Sequence, residues 1–332
     1  MNIETRKVQK FASRIWGKLL SGMLCAGMAV FPCLAGSGIP MLAKNMGLIK
    51  INGADLYFRV VGEGKPLIVL HGGPGLSHEY FLPHLETLVD EFQLIFYDQR
   101  ASGNSSAGVA PESISIEGFV ADLEGIRKRF GLDKVSLLGH SWGGLLALHY
   151  ALKFPEKTQR MILVDAAPPN AKLDVEGFKA MEARRSEEDT RRIKAIMASE
   201  AFQKLEPSAI AEYLRASEKV RFYRTELISL MRMSLDREKI LKLMRVGRIM
   251  RPQLADYDIV QDLSAVTCPI LVVHGDCDTI PVDSARLIHE QVKDSRLIIV
   301  KNCGHFPFIE APERFTKAVK AFLHETRNGD AY

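Results

Sequence analysis

Apolar residues in this chain fall into short continuous runs that are separated by stretches with helical spacing. A continuous run without polar alternation is typical of a strand covered on both faces, so we expect each run to form a buried strand. Helical patterns at residues 114–130 and 145–154 lie between the first runs, and this alternation predicts an α/β protein with a mostly parallel central sheet flanked by helices. The first four runs span residues 66–70, 93–97, 135–139 and 160–165.

Further segments extend the predicted sheet at both ends. Residues 48–61, LIKINGADLYFRVV, alternate around an Asn-Gly dipeptide that favours a type I′ turn, and so predict a β-hairpin. Residues 269–276 and 296–305 return to buried-strand character, and a closing helix is predicted at residues 312–324.

The stretch between these two groups of strands has a different pattern. It lacks a convincing strand run, but Lys, Arg, Glu, Met and Leu recur in it at helical spacing. We therefore predict a core made of residues 48–168 and 264–326, interrupted by an inserted helical cap of residues 169–263.

The first 35 residues predict a signal peptide or a membrane anchor. They carry five basic residues and one acid, residues 19–43 are uncharged, and small residues around position 35 suit a signal peptidase. We expect export, so that the protein is periplasmic or secreted. The alternative is a retained segment that associates the protein with a membrane.

The charge balance argues against a nucleic-acid partner. The whole chain has 44 Lys and Arg against 40 Asp and Glu, and removing the first 35 residues leaves 39 of each. Phosphate binding needs a clustered positive face, which an evenly mixed neutral chain does not indicate. Composition leaves the oligomeric state open.

The cysteines do not predict a disulfide scaffold or a metal site. Three remain after the leader, and an odd number leaves at least one thiol unpaired. Cys277 and Cys303 lie on loops that neighbouring strands would bring together, so a redox-sensitive pair is one hypothesis and free thiols are the alternative. Because no His, Cys or Asp group has the spacing of metal ligands, we predict no metal and no cofactor.

A Gly-His-Ser-Trp-Gly sequence, residues 139–143, lies between a predicted strand and a predicted helix. In that context G-x-S-x-G holds the serine at a sharp, strained turn above the carboxyl edge of the sheet, so Ser141 is a candidate nucleophile. A serine hydroxyl is a poor nucleophile alone and needs a base and an orienting acid.

Candidates for both groups follow later predicted strands. His305 lies in a Gly-His-Phe-Pro loop just after a strand, where an imidazole can reach over the sheet edge. Asp276 and Asp278 follow the preceding strand, and we favour Asp278 because it lies farther towards the next loop, whereas Asp276 suits a turn-capping role. Ser141, Asp278 and His305 have the chain order nucleophile, acid, histidine.

Residues 71–75, HGGPG, form a glycine loop after another predicted strand. Backbone N–H groups of such a loop can face a developing oxyanion, together with the N–H of Trp142, the residue after the candidate nucleophile. No Gly-Lys-Ser/Thr follows, which excludes a phosphate-binding loop.

The order of HGGPGLSHEY, YDQRASGNS, GHSWGG, HGDCDTIP and GHFPFIEAPERF resembles the α/β-hydrolase fold and, within it, the proline iminopeptidase group of serine peptidases. The resemblance covers residues 48–325. It implies a nucleophile at Ser141, an acid at Asp278, a base at His305, and an oxyanion hole formed by the N–H groups of Gly73 and Trp142. One departure is Ala101, where the family has glycine after Asp-Gln-Arg.

The resemblance also implies acidic cap residues that bind the free amino terminus of a substrate. Glu200, Glu218 and Glu226 are candidates, although their spacing from Lys and Arg also suits a solvated, salt-bridged helix face. The predicted function is an aminopeptidase of proline iminopeptidase type that acts on a short peptide or other small molecule. The alternatives are a carboxylesterase or lactonase and, more remotely, a non-catalytic binding module on the same fold.

Overall fold

An eight-stranded sheet forms the centre of residues 45–325, which are the residues that this computed structural model describes. The order of the strands across the sheet is β1-β2-β4-β3-β5-β6-β7-β8. β2 is antiparallel to both of its neighbours, and every other neighbouring pair is parallel. The strands are β1 (Met46–Ile51), β2 (Ala54–Val61), β3 (Lys65–Leu70), β4 (Phe92–Tyr97), β5 (Val135–His140), β6 (Thr158–Val164), β7 (Ile270–Gly275) and β8 (Ser295–Val300).

The first two strands form the predicted hairpin. Asn52 and Gly53 connect them with positive φ angles of 46° and 78°, as a type I′ turn requires. Both residue types adopt that region at low energy, which explains why the alternating sequence turns at this point.

Every predicted buried strand is present. All six residues of β5 and all six of β7 are buried, because helices cover both faces of the sheet there. The α-helices of residues 45–325 are α1 (Ile116–Arg129), α2 (Trp142–Lys153), α3 (Ala171–Arg184), α4 (Glu187–Ala198), α5 (Glu200–Gln203), α6 (Pro207–Glu218), α7 (Arg237–Gln253), α8 (Val282–Gln291), α9 (Pro307–Glu310) and α10 (Pro312–His324). The predicted mostly parallel sheet flanked by helices is therefore confirmed.

Helices α3 to α7 all lie between β6 and β7, within the stretch predicted as a cap. Short 3₁₀ turns at residues 219–221 and 225–230 interrupt them. None of the helices in residues 45–325 is long and apolar enough to cross a membrane. The predicted leader, residues 1–35, lies outside the described residues, and its role stays a prediction.

Parallel strands bring their carboxyl ends to one edge of the sheet. Residues 71–75 follow β3, Ser141 follows β5, Asp278 follows β7 and His305 follows β8. Candidate groups that are far apart in the sequence therefore meet at a single edge, which is where ligands bind in open α/β sheets.

Candidate active site

Ser141 occupies a strained corner between β5 and α2. Its φ and ψ angles are 55° and −123°, a conformation that L-residues rarely adopt. Its N–H donates to the carbonyl of Val164 at 3.0 Å, and its own carbonyl accepts from the N–H groups of Gly144 and Ala167 at 2.9 Å each. These bonds hold the backbone in the strained conformation.

The glycines around Ser141 are required by close backbone approach. A Cβ atom on Gly139 would collide with the carbonyl of Gly143, and a Cβ on Gly143 would collide with the carbonyl of Leu70. Both obstacles are main-chain atoms of packed strands or helices, which cannot move aside. The glycines of the G-x-S-x-G pattern therefore let the start of α2 pack directly against β5 and the end of β3.

His305 and Asp278 form a buried hydrogen-bonded pair. Nδ1 of His305 lies 2.7 Å from Oδ2 of Asp278, and both side chains are almost completely buried. Burial works to raise the pKa of Asp278, but charge attraction and the hydrogen bond with His305 hold that pKa below its usual value. Asp278 is therefore ionised and accepts the Nδ1 proton, which leaves Nε2 as the free ring nitrogen.

Residues of the predicted cap fix the loop that carries His305. The N–H of His305 donates to the carbonyl of Arg221 at 2.8 Å. The buried carboxylate of Glu310 accepts from the N–H of Gly304 through one oxygen and from the N–H of Tyr223 through the other, at 2.9 Å each. The position of the imidazole is therefore tied to residues 221–223, a segment of the predicted cap.

His140 connects three parts of this edge. Its Nε2 lies 2.8 Å from the carbonyl of His305, and because a carbonyl only accepts, Nε2 must carry the proton. Burial, with the nearby His305, holds the pKa of His140 well below its usual value, so the ring is neutral and Nδ1 accepts. The hydroxyl of Tyr80 donates to that Nδ1 at 2.9 Å and accepts from the N–H of Gly72 at 2.6 Å.

The loop of residues 71–75 lies beside Ser141. Gly73 has a φ of 125°, which favours glycine, and it lines both cavities that contain Ser141. The N–H of Trp142 belongs to the first turn of α2, where helix geometry provides no intrahelical acceptor. Both residues predicted to form the oxyanion hole are therefore brought next to Ser141.

Gln99 holds Trp142 in place. Its Oε1 accepts from the indole N–H of Trp142 at 2.7 Å, and its Nε2 donates to the carbonyl of His71 at 2.8 Å. The Asp-Gln-Arg segment thus braces the start of α2 against the glycine loop. Ala101, which follows it, has a φ of 53°, a left-handed conformation that glycine adopts at lower energy than alanine does.

Two cavities flank Ser141, with volumes of about 250 Å³ and 100 Å³. Gly73, Ser141 and Arg221 line both, and His305 lines the smaller one. A larger cavity of about 660 Å³ is lined by residues near the amino ends of the strands, such as Lys65 and Thr158. It lies at the edge of the sheet opposite Ser141.

Of the three predicted substrate-binding acids, the structure brings Glu218 to these cavities and not Glu200 or Glu226. Glu218 lines the smaller cavity, where its carboxylate lies 3.2 Å from Nε of Arg221. Glu200 is exposed and pairs with Lys204 one helical turn away at 2.5 Å, which is the salt-bridged helix face that its spacing also indicated. Glu226 is exposed in a 3₁₀ turn and lines neither of the two cavities beside Ser141.

Sequence reasoning missed Asp174, which lines the cavity of about 250 Å³ beside Ser141 together with Tyr257. Asp174 is exposed at the cavity wall, and partial desolvation of its carboxyl raises its pKa above the usual value. Asp174 lies in the first turn of α3, and acids are common at that position for helix capping alone. The position of Asp174 in the sequence therefore did not distinguish a binding role from helix capping.

The thiols of Cys268, Cys277 and Cys303 are all free in the structure. The N–H of Cys277 donates to the carbonyl of Cys303 at 2.8 Å, so the two loops meet as expected. The contact is between main chains, however, and the hypothesis of a disulfide between them is not supported.

In the described part of the chain, one cluster has the composition of a metal site. Ligand-type atoms of Asp165, His274 and Asp278 lie within 4.8 Å of one another. Asp278 is already bound to His305, however, and His274 Nε2 lies 3.0 Å from the carbonyl of Ile280, to which it donates. Because Asp278 and His274 serve other partners and all three groups are buried, we interpret the cluster as hydrogen-bonded protein groups and not as a metal centre.

The α/β hydrolase fold family matches this chain over residues 65–312, and the chain belongs to that family. A sheet with the serine corner after β5 and the His305 loop after β8 agrees with this classification. Together with the relatives below, membership identifies the protein as a hydrolase.

Among curated proteins, a proline iminopeptidase from Saccharolobus solfataricus is 31% identical over 295 residues, covering 84% of this chain and 92% of the relative. Among solved structures, a proline iminopeptidase from Mycobacterium smegmatis has a TM-score of 0.63 at 23% identity, covering 84% of this chain and 97% of the other. A thermophilic esterase from Thermogutta terrifontis has a TM-score of 0.62 at 26% identity, covering 84% and 98% respectively.

Proposed function

We propose that this α/β hydrolase is a serine hydrolase whose nucleophile is Ser141, and that it acts as an aminopeptidase of proline iminopeptidase type. The main support is the hydrogen bond of 2.7 Å between Asp278 and His305, next to a cavity that His305 shares with Ser141. A buried acid and histidine of this geometry beside a strained serine form the arrangement that activates a hydroxyl for acyl transfer.

Each group has a defined step in the proposed reaction. Ser141 attacks the substrate carbonyl while His305 takes the hydroxyl proton, and Asp278 keeps the imidazole in the required tautomer and stabilises the imidazolium. The N–H groups of Gly73 and Trp142 stabilise the oxyanion. His305 then gives its proton to the leaving amine, and water hydrolyses the acyl enzyme by the same sequence.

Two observations support a peptide substrate with a free amino terminus. Curated relatives at about 30% identity are named proline iminopeptidases. The carboxyl groups of Asp174 and Glu218 line the cavities on either side of Ser141, where either could bind an ammonium group. Asp174 is the better candidate because Arg221 forms a direct ion pair with Glu218, at 3.2 Å, and acts on Asp174 only as a more distant charge.

An esterase is the second candidate. Its support is the apolar lining of the smaller cavity, which includes Leu76, Leu214, Met231, Met233 and Phe306. Such a lining suits a short acyl chain, and an ester needs less protonation of its leaving group than an amide does.

Paired substrates distinguish these functions. We would compare kcat/KM on proline and alanine arylamides with free amino termini, on the same arylamides after acetylation, and on short-chain aryl esters. Activity that acetylation abolishes establishes an aminopeptidase, whereas fast ester cleavage without regard to an amino group removes the peptidase proposal. The Ser141→Ala variant, which should lose both the activity and labelling by a fluorophosphonate, tests the nucleophile separately.

A further inference from the structure

A second carboxyl group lies directly beside Asp278. Asp165 follows β6, has a φ of 41° and is completely buried. Its Oδ1 accepts from the N–H of Gly275 at 2.9 Å. Its Oδ2 is buried and has no hydrogen-bond partner among the described residues. An ionised carboxylate in this position would keep a full charge in the interior with a single donor, which is a high-energy arrangement.

His274 does not neutralise Asp165. Its Nε2 donates to the carbonyl of Ile280, which requires the proton on that nitrogen, and burial lowers the pKa of His274 so that the ring is neutral. Nδ1 therefore presents a lone pair towards Oδ1 of Asp165, 3.6 Å away. This contact offers Asp165 neither a positive charge nor a hydrogen-bond donor.

The carboxylate of Asp278 also has few hydrogen-bond donors. Its Oδ2 accepts from His305, whereas Oδ1 has only a long contact of 3.4 Å with the hydroxyl of Thr279. A buried carboxylate normally accepts several hydrogen bonds. Asp165 thus has a carboxyl oxygen without a hydrogen-bond partner, and Asp278 has a carboxylate with few donors. The two side chains belong to one cluster, whose polar atoms lie within 4.8 Å of one another.

We propose that Asp165 is a positioning residue that carries a proton on Oδ2 and donates it in a hydrogen bond to the carboxylate of Asp278. This inference rests on the proposed serine hydrolase function, because its effect is exerted through Asp278 on His305. One proton satisfies both groups at once and leaves one negative charge in the cluster. His305 then faces a single, fixed carboxylate.

The electrostatic surroundings agree with a neutral Asp165. Burial, followed by repulsion from Asp278, raises the pKa of Asp165 well above its usual value, and Glu310 adds to the effect. Cys303 is a further titratable neighbour, and burial raises the pKa of its thiol, so this thiol stays neutral. Among the described residues, the charged side chains that act most strongly on Asp165 are the carboxyls of Asp278 and Glu310, whereas the positive charge of Arg221 acts on Asp278.

Infrared spectroscopy tests the proton without any substrate. The difference spectrum between the wild-type protein and Asp165→Asn at neutral pH should show the loss of one protonated carboxyl C=O band. Loss of an ionised carboxylate band instead overturns the proposal. Asp276→Asn is the matched control, because Asp276 follows the same strand as Asp278 and hydrogen bonds from Cys277 and Cys303 outweigh its desolvation and lower its pKa. That variant should lose a carboxylate band.

The pH dependence of fluorophosphonate labelling tests the effect on the site. Asp165→Asn keeps an acceptor for the N–H of Gly275 and a donor for the carboxylate of Asp278. Its labelling rate should therefore stay within about threefold of wild type. The acid limb of its pH profile, where labelling falls towards low pH, should lie within about 0.3 pH unit of the wild-type limb. Asp165→Ala removes the donor, concentrates the charge of Asp278 on His305, and should move the acid limb to higher pH by about half a unit or more.

An acid limb that moves to lower pH by about one unit in Asp165→Asn contradicts the proposal, because it means that a negative charge was removed. If Asp165→Ala does not fold, Asp165→Asn and the infrared measurement still decide. Absence of labelling in the folded wild-type protein would count against the serine hydrolase function, while the infrared result would continue to report on Asp165. The two failures are therefore distinguishable.

Discussion

Nε2 of His140 donates a hydrogen bond to the main-chain carbonyl of His305 across 2.8 Å. The donor is the residue before Ser141, and the acceptor belongs to the proposed general base. A single buried side chain therefore fixes the distance between the serine corner and the His305 loop. Tyr80 completes the connection by bonding Nδ1 of His140 and the N–H of Gly72 in the loop of residues 71–75.

This connection predicts a large effect of Tyr80→Phe. Removal of the hydroxyl leaves the buried N–H of Gly72 without an acceptor and Nδ1 of His140 without a donor, which should lower the free energy of unfolding by about 1–3 kcal/mol. Labelling of Ser141 should slow by about tenfold, since small displacements of reacting groups are costly. Urea unfolding and fluorophosphonate kinetics measure the two effects.

Tyr97→Phe is the control for that experiment. Tyr97 is equally buried, but its hydroxyl has no hydrogen-bond partner within residues 45–325. Loss of an unpaired buried hydroxyl should leave the stability unchanged or increase it. Equal destabilisation by the two substitutions would show that the Tyr80 hydrogen bonds contribute nothing beyond packing.

Asp278 and Asp276 should respond very differently to the same substitution. Asp278→Asn removes the charge that stabilises the imidazolium and favours the wrong tautomer of His305, so kcat should fall by about 10⁴-fold. In Asp276→Asn the affected contacts are those with the thiol of Cys277, the N–H of Cys303 and the ammonium of Lys301, none of which reaches His305, and kcat should change by less than about threefold. Steady-state kinetics on whichever substrate is cleaved decides, and comparable losses would contradict the acid role of Asp278.

The parts of the site that the sequence could predict depend on local patterns. A continuous apolar run predicts a buried strand wherever it occurs, and the parallel order of strands then places Ser141, Asp278 and His305 at one edge. The hairpin turn at Asn52-Gly53 likewise depends on the conformational preference of two adjacent residues.

The supporting contacts could not be predicted because they join distant positions without a periodic signal. His140 and His305 are 165 residues apart, and Asp165 and Gly275 are 110 apart. The predicted cap is less predictable still, since the cavities beside Ser141 combine residues from separate helices, such as Asp174 and Glu218, with Arg221 from a 3₁₀ turn. Glu200 and Asp174 look alike in sequence as first-turn acids, and tertiary packing alone separates them.

Recognition of a free amino terminus predicts a selective effect of Asp174→Asn. Loss of a charge-assisted hydrogen bond to an ammonium group should lower kcat/KM on free arylamides by about 10–100-fold and leave aryl esters unaffected. Glu218→Gln should reduce kcat/KM on free arylamides by only about threefold, because the carboxylate of Glu218 already forms an ion pair with Arg221. Glu226→Gln is the control, because Glu226 is exposed and lines neither cavity beside Ser141. It should leave kcat/KM unchanged on both substrate classes. Equal losses on both substrate classes in Asp174→Asn would indicate a structural role.

The proton on Asp165 should also be visible in the dependence of stability on pH. The pKa of Asp165 is raised in the folded protein from a usual value of 3.8, so above that value the unfolded chain releases a proton that the folded protein retains. The free energy of unfolding therefore falls as pH rises towards the raised pKa, by up to about 1.4 kcal/mol per pH unit.

Asp165→Asn removes this penalty, so its free energy of unfolding relative to wild type should increase between about pH 5 and pH 7.5. Asp276→Asn should show no such increase, because the pKa of Asp276 is lowered in the folded protein. A group of that kind contributes stability that is present above its usual pKa and lost only in acid, so the difference from wild type should be flat over the same range. Urea unfolding of the three proteins at four pH values measures both slopes. A flat difference for Asp165→Asn would mean that Asp165 is ionised in the folded protein, and the hydrogen bond to Asp278 would then need another donor.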